Sequence, residues 1–283
     1  MRLISTYIGE APTFSSGPSG YVSGVKIYGI LAPFCNTNAG FSAFVDSGVN
    51  ERFKKIFLQW QSYLVTPDSA SVLNSTEEDG WFSAAALSAL DEAAGGRFQD
   101  TYVCEPDAEH WDFVSFDDFF TRVFQEGVRP VQEPDNKDIV NGACECTVNK
   151  FTYQVQRTDT FWIKGTPYSL EYMFNHLPYV DSFVGGTVFQ GILSSLNYHR
   201  WNSPINGTVT YAKVIDGTYY AARLDDDPSP DVISRSGDFV ANLASVTCHH
   251  YHPGRQREIR IGLLHRGGAR RGVDLPDCRG PSR

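Results

Sequence analysis

Residues 115–131 have the sequence SFDDFFTRVFQEGVRPV, which combines a helix start, an apolar stripe and a helix stop. Ser115 is a suitable N-cap, and Asp118 follows it at the spacing of a capping box, with Asp in place of the usual Glu. Gly127 is expected to end the helix, and Pro130 cannot continue it. The side chains that would form the buried face recur at helical spacing and are Phe116, Phe119, Phe120, Val123 and Phe124.

Two further helices are predicted upstream of this stretch. The first is expected to begin near Asn50, a good N-cap, and to end before Pro67. The second fits Phe82–Ala94, which is rich in alanine and is followed by the helix-stopping pair Gly95-Gly96. The apolar stripe of the first helix consists of Phe53, Ile56, Phe57, Trp60 and Leu64. We interpret these aromatic stripes as core rather than as a cofactor site.

Downstream of residue 140 the pattern favours β-strands. Phe151, Tyr153 and Val155 alternate with polar residues, as expected of a half-buried strand. Thr208–Ile215 is expected to pair with residues 218–222 across the intervening Asp-Gly, whose residue types suit a type I′ hairpin turn. The whole chain is therefore predicted to be an α+β protein, with helices first and strands later.

Composition excludes several classes of partner. A net charge of −9 over 283 residues argues against nucleic acid as the main partner. The six cysteines are scattered and no signal peptide precedes them, so we expect reduced thiols. No apolar run approaches the length of a membrane span. The prediction is a soluble, cytoplasmic protein with no nucleic-acid partner and no membrane partner.

The end of the chain differs in composition from the rest. Arg255–Arg283 contains eight arginines, no lysine and three acidic residues. A metal cluster is one interpretation of the residues just before it, which are Cys248, His249, His250 and His252. A basic arm that binds RNA or an acidic surface is a second interpretation. The one we favour is translation in a wrong frame, from a mispredicted intron or a real frameshift.

Residues 198–208, YHRWNSPINGT, place an imidazole next to a fixed cation and an indole, followed by two turn signals. Histidine is the side chain most easily tuned for proton transfer near neutral pH, so His199 is a candidate catalytic residue. The alternative interpretation is a loop that leads into a hairpin, in which His199 is only hydrogen-bonded.

Several of these stretches together resemble the phosphatidylserine decarboxylase family. Its helix-and-turn signature ends in the same Gly-x-Arg-Pro as residues 127–130. Further similar motifs follow in the family's order: Asn141–Cys146, Phe161–Gly165, Tyr168–Leu170, Phe183–Val188 and Tyr198–Arg200. The details are most similar to the soluble fungal branch related to the tryptophan decarboxylase of psilocybin biosynthesis. The resemblance runs from about Gly29 to Ser245.

The resemblance implies a fold and a division into regions. The implied fold is a helical N-terminal part on a mainly antiparallel, barrel-like β domain whose C-terminal strands are missing. Residues 1–28 would be a loop-like lead-in and residues 29–131 the helical region. Residues 132–245 would form the incomplete β-rich catalytic domain, and residues 246–283 a basic tail outside the family.

The resemblance also implies a chemistry. Members of the family cut their own chain at a Gly-Ser bond and convert the serine into a pyruvoyl group, whose ketone is the electron sink for decarboxylation. The implied function is a pyruvoyl-dependent amino-acid decarboxylase with a small-molecule amino acid as partner, aromatic and such as tryptophan. Phosphatidylserine decarboxylation and a non-catalytic remnant that at most binds a partner are the alternatives.

Three residues match the family's site. Glu145 stands at the acid position and could orient an imidazole. His199 matches the first histidine of the family's Tyr-His-Arg-x-His, which is associated with decarboxylation and reprotonation. Asn202 occupies the position of the second histidine, the self-processing base, and an amide cannot act as a general base. The chain also contains no Gly-Ser dipeptide, so we expect that no pyruvoyl group can form in it as written.

Overall fold

A computed structural model describes most of the chain. The described residues are 7–15, 31, 34, 37–136, 139–158, 161–163, 166–174, 176, 180–205, 208–215, 243–250 and 259–266. The chain divides into two compact units, each built from segments that are distant in sequence. The first unit consists of Met1–Ile27, Ile56–Thr147 and Ile192–Asn202, and the second of Tyr28–Lys55, Val148–Gly191 and Ser203–Arg283. The consecutive regions that the family resemblance implies stay a prediction.

Six α-helices and three 3₁₀ helices occur in the described part of the chain. The α-helices are α1 (Asn38–Phe44), α2 (Ser47–Leu64), α3 (Ala84–Ala94), α4 (Phe98–Thr101), α5 (Phe116–Phe120) and α6 (Leu170–Met173). The 3₁₀ helices are Pro67–Val72, Glu109–Asp112 and Val180–Phe183. None of the described helices is both long and apolar enough to cross a membrane.

The start of α2 differs from the prediction. The helix begins at Ser47, and the side chain of Asp46 caps it by accepting a hydrogen bond from the amide of Val49 (2.9 Å). Asn50 lies inside the helix, where its side-chain amide donates to the carbonyls of Phe44 (2.6 Å) and Asp46 (2.8 Å). The prediction of Asn50 as N-cap is therefore wrong, because Asp46 stands four residues upstream and caps the helix there.

The helix predicted over Phe82–Ala94 is confirmed as α3, Ala84–Ala94. The hydroxyl of Ser83 accepts a hydrogen bond from the amide of Ala86 (3.3 Å) and forms the N-cap. Gly95 ends the helix in the left-handed conformation at φ 70°, which a glycine adopts without steric cost.

The N-cap of α5 is confirmed, but its predicted length is wrong. The Ser115 hydroxyl accepts from the amide of Asp118 (3.1 Å), as the capping spacing predicts. The helix ends at Phe120 because the chain then forms an isolated antiparallel bridge between Phe124 and Tyr102. Val123, predicted to lie on the buried face, is 46% exposed.

Aromatic side chains form the core of the first unit. Trp81, Phe82, Phe98 and Phe119 are all at most 2% exposed, and Phe82 stacks on Trp111 with ring centroids 4.4 Å apart. Burial of each such side chain stabilises the fold by about 1.5–3 kcal/mol. The core interpretation of the stripe on α2 is confirmed at its two ends, since Phe53 and Leu64 are buried, whereas the residues between them are half-buried.

The strands form three small sheets in the described part of the chain. One pairs β1 (Thr147–Tyr153) with β4 (Thr187–Ile192), and another pairs β2 (Phe161–Ile163) antiparallel with β3 (Thr166–Tyr168). The third is antiparallel and has the order β5 (Thr208–Ile215), β6 (Leu243–His250), β7 (Ile259–Arg266). Mixed helix and sheet content is therefore confirmed. These described sheets do not close into a barrel, so the barrel-like arrangement stays a prediction.

Three details of the strands differ from the sequence pattern. Phe151 and Tyr153 are 46% and 68% exposed, so β1 exposes the side chains that the alternation placed in a core. The partner of β5 is β6, whereas the predicted hairpin partner, residues 218–222, lies outside the described residues. β6 and β7 also lie largely in the stretch after residue 245, which we predicted only as a basic tail outside the family.

The second unit has a small apolar core next to an exposed group of ion pairs. The core side chains are Val155, Leu170, Met173, Phe174 and Val180. Arg157 pairs through Nε with Glu171 (2.5 Å) and through Nη1 with Asp181 (2.6 Å). His176 contacts the other oxygen of Glu171 through Nδ1 (2.9 Å). These pairs tie α6 to the loop after β1 and to the 3₁₀ helix Val180–Phe183.

Candidate active site

His199 lies against the C-terminal end of α5 in the first unit. Its imidazole stacks on the ring of Phe120, with ring centroids 3.9 Å apart and an interplanar angle of 19°, and its Nε2 atom is buried. The neighbouring Tyr198 stacks on Phe124, with centroids 4.0 Å apart. Aromatic packing therefore determines the orientation of both rings.

The backbone around His199 is held by the residues that follow Phe120. Arg200 donates from Nε to the carbonyl of Thr121 (2.6 Å). The buried guanidinium of Arg122 donates from Nη2 to the carbonyl of Leu196 and to that of Asn197 (2.7 Å). Residues 196–200 are thus attached, on both sides of His199, to the residues that directly follow α5.

Glu145 is held by an arginine of the Gly-x-Arg-Pro turn. The Nε atom of Arg129 donates to Oε1 of Glu145 at 2.5 Å, and Nη2 of the same arginine donates to the carbonyl of Ala94 (2.8 Å). The side chain of Glu145 is 30% exposed. Its suggested role of orienting an imidazole stays a prediction, and the partner that the structure gives it is Arg129.

Asn202 is anchored to the loop that carries Glu145. Its backbone amide donates to the carbonyl of Ala143 (2.8 Å), and its side-chain Nδ2 donates to the carbonyl of Gly142 (3.1 Å). The structure therefore brings Asn202 close in space to the Glu145 loop, although about sixty residues separate them in sequence.

Comparison with known proteins identifies the family of this chain. Two family models, both described as phosphatidylserine decarboxylase, match the chain over residues 1–90 and 116–235. The chain belongs to the phosphatidylserine decarboxylase family. Glu145, His199 and Asn202 all lie inside the second match to this family. The first match begins at residue 1 and includes residues 1–28, which lie upstream of the resemblance recognised from the motifs.

Fungal decarboxylases are among the similar proteins of the phosphatidylserine decarboxylase family. Decarboxylase iboD of Amanita muscaria is 41% identical over 210 residues, which are 74% of this chain and 59% of that protein. The L-tryptophan decarboxylase of Psilocybe cubensis is 37% identical over 220 residues, 74% of this chain and 50% of the relative. Phosphatidylserine decarboxylase proenzyme 3 of Schizosaccharomyces pombe is 33% identical over 124 residues, 44% of this chain and 13% of the relative. The chain thus spans between one half and three fifths of the length of the first two relatives.

Two thiols, Cys144 and Cys146, flank Glu145 in sequence, and the surroundings of Cys144 disfavour its reactive thiolate form. Burial raises the pKa of Cys144 to about 11, with further contributions from the charge of Cys146 and a hydrogen bond to it. A thiol with such a pKa is almost wholly protonated at neutral pH, and the thiolate is the nucleophilic form. Cys144 is therefore a poor candidate nucleophile for this site.

Burial also affects the phenol of Tyr198. Desolvation raises the pKa of Tyr198, the positive charge of Arg200 opposes this, and the negative charge of Glu145 adds to it. The field of Glu145 thus reaches the residue next to His199. A neutral phenol stacked on Phe124 supports the position of the histidine without adding a second charge.

The family's prosthetic group depends on a dipeptide that this sequence does not contain. The resemblance implies a pyruvoyl group made from a serine that follows a glycine, and the 283 residues contain no Gly-Ser dipeptide. That no pyruvoyl group can form in this chain stays a prediction. As for metals, the described residues hold no group of three His, Cys, Asp or Glu side chains arranged to bind an ion. The side chains of Cys248, His249, His250 and His252 lie outside what the structure describes.

The sequence patterns missed three residues that the structure places at the site. Arg129 was noted as part of the family motif, but its contact with Glu145 depends on a loop sixteen residues away. The sequence pattern assigned both Phe120 and Arg122 to a helix. It placed Phe120 on the buried face and gave Arg122 no role. Their partners lie in residues 196–199, and no local pattern indicates a contact at that separation.

Proposed function

We propose that the protein acts as a pyruvoyl-dependent amino-acid decarboxylase, with an aromatic L-amino acid such as tryptophan as its substrate. The observation that carries this proposal is the stack of His199 on Phe120 at 3.9 Å, inside the stretch 116–235 that matches the family. Similarity to the fungal protein named decarboxylase iboD, at 41% identity, supports decarboxylation. Similarity to two L-tryptophan decarboxylases, at 37% and 34% identity, supports the choice of substrate class.

His199 is the residue we assign to proton transfer. Decarboxylation breaks the bond between the α-carbon and the carboxylate, and a proton must then be delivered to that carbon. An imidazole can donate this proton near neutral pH. The stack on Phe120 holds the ring plane, and burial of Nε2 limits exchange with bulk water. Glu145, fixed by Arg129, supplies a negative charge in the same unit, and this charge helps to raise the pKa of Tyr198 next to His199.

The electron sink must come from elsewhere. In this family a pyruvoyl group supplies a ketone for that purpose, and its serine would have to be contributed from outside these 283 residues. Asn202 cannot serve as the base that activates such a serine, because an amide does not titrate. We propose that the chain as given does not process itself, and that it acts in the cytoplasm.

Two other functions have observations in their favour. Phosphatidylserine decarboxylation is favoured by relatives of that name, including the proenzyme 3 of Schizosaccharomyces pombe, although they cover 44% of the chain or less. A non-catalytic role is favoured by Asn202 and by the missing Gly-Ser bond. The two L-tryptophan decarboxylases cover 74% and 78% of the chain, so we place the aromatic amino acid first.

The test is a chimera that restores the missing part. Residues 1–245 are fused to the C-terminal segment of the Psilocybe cubensis L-tryptophan decarboxylase that follows its matched region, with either Asn202 or Asn202→His. Release of carbon dioxide and amine is measured with tryptophan, tyrosine and phosphatidylserine. His199→Ala in the same chimera is the control, and it should abolish the reaction without preventing cleavage.

The outcomes separate the candidates. Amine from tryptophan or tyrosine, lost in His199→Ala, supports the proposal. Turnover of phosphatidylserine alone supports the second candidate. A chimera that cleaves itself, as shown by intact mass, and yet releases no carbon dioxide from any of the three substrates refutes the decarboxylase proposal.

A further inference from the structure

Arg122 is a buried cation at the centre of the first unit. It is 2% exposed, and its guanidinium carbon lies over the ring of Tyr102 at 4.5 Å, with Phe98 at 5.2 Å and Phe119 at 5.4 Å. Desolvation lowers the pKa of Arg122, while the charge of Tyr102 and a hydrogen bond to it act in the opposite direction. Burying a cation is costly unless specific contacts offset the loss of hydration.

The contacts that offset this cost are mostly carbonyl oxygens from one distant segment. Nη2 of Arg122 donates to the carbonyls of Leu196 and Asn197, the second at 2.7 Å. Nη1 donates to the carbonyl of Phe119 at 3.4 Å. No carboxylate forms an ion pair with Arg122 among the residues that the structure describes. The guanidinium thus joins the end of α5 to the residues just before His199.

Three consecutive residues contact the same short segment. The ring of Phe120 stacks on His199, and the carbonyl of Thr121 accepts from Arg200. The guanidinium of Arg122 holds the carbonyls of residues 196 and 197. The segment is therefore fixed before, at and after the histidine by the last residue of α5 and the two residues that follow it.

We propose that Arg122 is the positioning residue for His199. Its two bonds to the carbonyls of Leu196 and Asn197 determine where the chain turns toward Tyr198, and hence whether the imidazole meets the face of Phe120. The inference rests on the proposed function only where it gives His199 a catalytic role. The contacts between Arg122 and residues 196 and 197 do not depend on that role.

Arginine suits this role better than lysine. Its planar guanidinium presents several N–H donors in a fixed fork and can lie flat against aromatic rings while it bonds two carbonyls. A lysine ammonium is a single point charge on a flexible stem. Arg122→Lys therefore keeps the charge and most of the volume but loses the fixed geometry, and Arg122→Met removes the charge and all donors.

The experiment uses NMR of the full 283-residue chain labelled at histidine. The ring protons of an imidazole stacked on a phenyl ring are displaced upfield, so His199 should show this displacement in the unmodified chain. Phe120→Leu removes the ring and provides the reference value. Arg122→Lys and Arg122→Met are expected to lose most of the displacement.

Two controls identify a specific effect. Arg97→Met removes an exposed arginine of the same unit, whose charged partner is Asp100 at 3.9 Å, and it should leave His199 unchanged. His110 is the internal reference for the fold, because its Nδ1 contacts the carbonyl of Leu73 at 2.8 Å in the same unit. The resonances of His110 should stay in place in all variants.

Each result decides the proposal. Loss of the His199 displacement with His110 unchanged supports positioning by Arg122. Retention of the displacement in both Arg122 variants overturns it. Simultaneous loss of the native signals of His110 and His199 also overturns it, because Arg122 would then stabilise the core in general. Since no turnover is measured, an inactive chimera would refute the proposed function and leave this result standing.

Discussion

Arg129 donates from Nε to Oε1 of Glu145 at 2.5 Å, so the arginine of the Gly-Val-Arg-Pro turn holds the carboxylate that we predict to stand at the family's acid position. The same arginine donates from Nη2 to the carbonyl of Ala94 at the end of α3. Glu145 is thereby linked through one side chain to a helix of the first unit. A family motif recognised for its turn residues also fixes an acidic residue of the candidate site.

The ion pair between Arg129 and Glu145 should be detectable as a coupling free energy. Both side chains are partly exposed, at 48% and 30%, so solvent weakens the attraction and we expect a coupling of roughly 1 kcal/mol. The measurement is a double-mutant cycle of Arg129→Met and Glu145→Gln in urea unfolding. Strictly additive effects of the two substitutions would contradict the pairing.

The core of the first unit should respond strongly to a cavity at Leu90. This side chain is fully buried in α3, and Leu90→Ala is expected to lower the free energy of unfolding by about 2–5 kcal/mol. Leu58→Ala on α2 is the matched control, because Leu58 is 45% exposed and its truncation should change stability by no more than about 0.5 kcal/mol. Equal losses in the two variants would refute the assigned core.

The exposed ion pairs of the second unit should make its stability depend on pH at the acidic end. Hydrogen bonds from Arg157 and then from His176 lower the pKa of Glu171 from its ordinary value of 4.5. A lowered folded-state pKa stabilises the fold above the unfolded-state value, and this stabilisation is lost as pH falls below 4.5 through the folded-state value. Glu171→Gln should therefore flatten the dependence of melting temperature on pH below 4.5.

The control for this pH dependence is Glu51→Gln in the same unit. Glu51 pairs with Lys55 at 3.4 Å, and both side chains are about 70% exposed, so little stability depends on the pair. This variant should keep the acidic slope of the unmodified chain. If Glu171→Gln and Glu51→Gln give the same profile, the proposed contribution of Glu171 does not exist.

Self-cleavage should require both a serine and a base. The 283-residue chain is expected to give one species near 31.5 kDa in intact-mass spectrometry. In the chimera described above, we expect cleavage with Asn202→His and none with Asn202, because an amide takes up no proton. The hydrogen bond from the backbone amide of residue 202 to the carbonyl of Ala143 does not involve the side chain, so Asn202→His can keep it. Efficient cleavage with Asn202 retained would show that another group acts as the base.

Local interactions could be predicted from the sequence, and most of them are confirmed. The cap at Ser115, the start and stop of α3 and the family motifs each depend on residues a few positions apart. Capping and helix stops involve side chains and amides of the same turn, so their geometry follows from the order of residues alone. The same is true of the absence of a Gly-Ser bond, which is a property of the sequence itself.

The tertiary structure alone decided where the site residues meet and where α5 ends. Phe124 lies outside the helix because its backbone pairs with that of Tyr102. This pairing forms only when the core that contains Tyr102 has folded. Arg122 and Arg129 find their partners on segments 75 and 16 residues away. A buried cation forms hydrogen bonds with the acceptors that the folded chain places around it. Leaving the charge without partners would cost more free energy than local conformational preferences contribute.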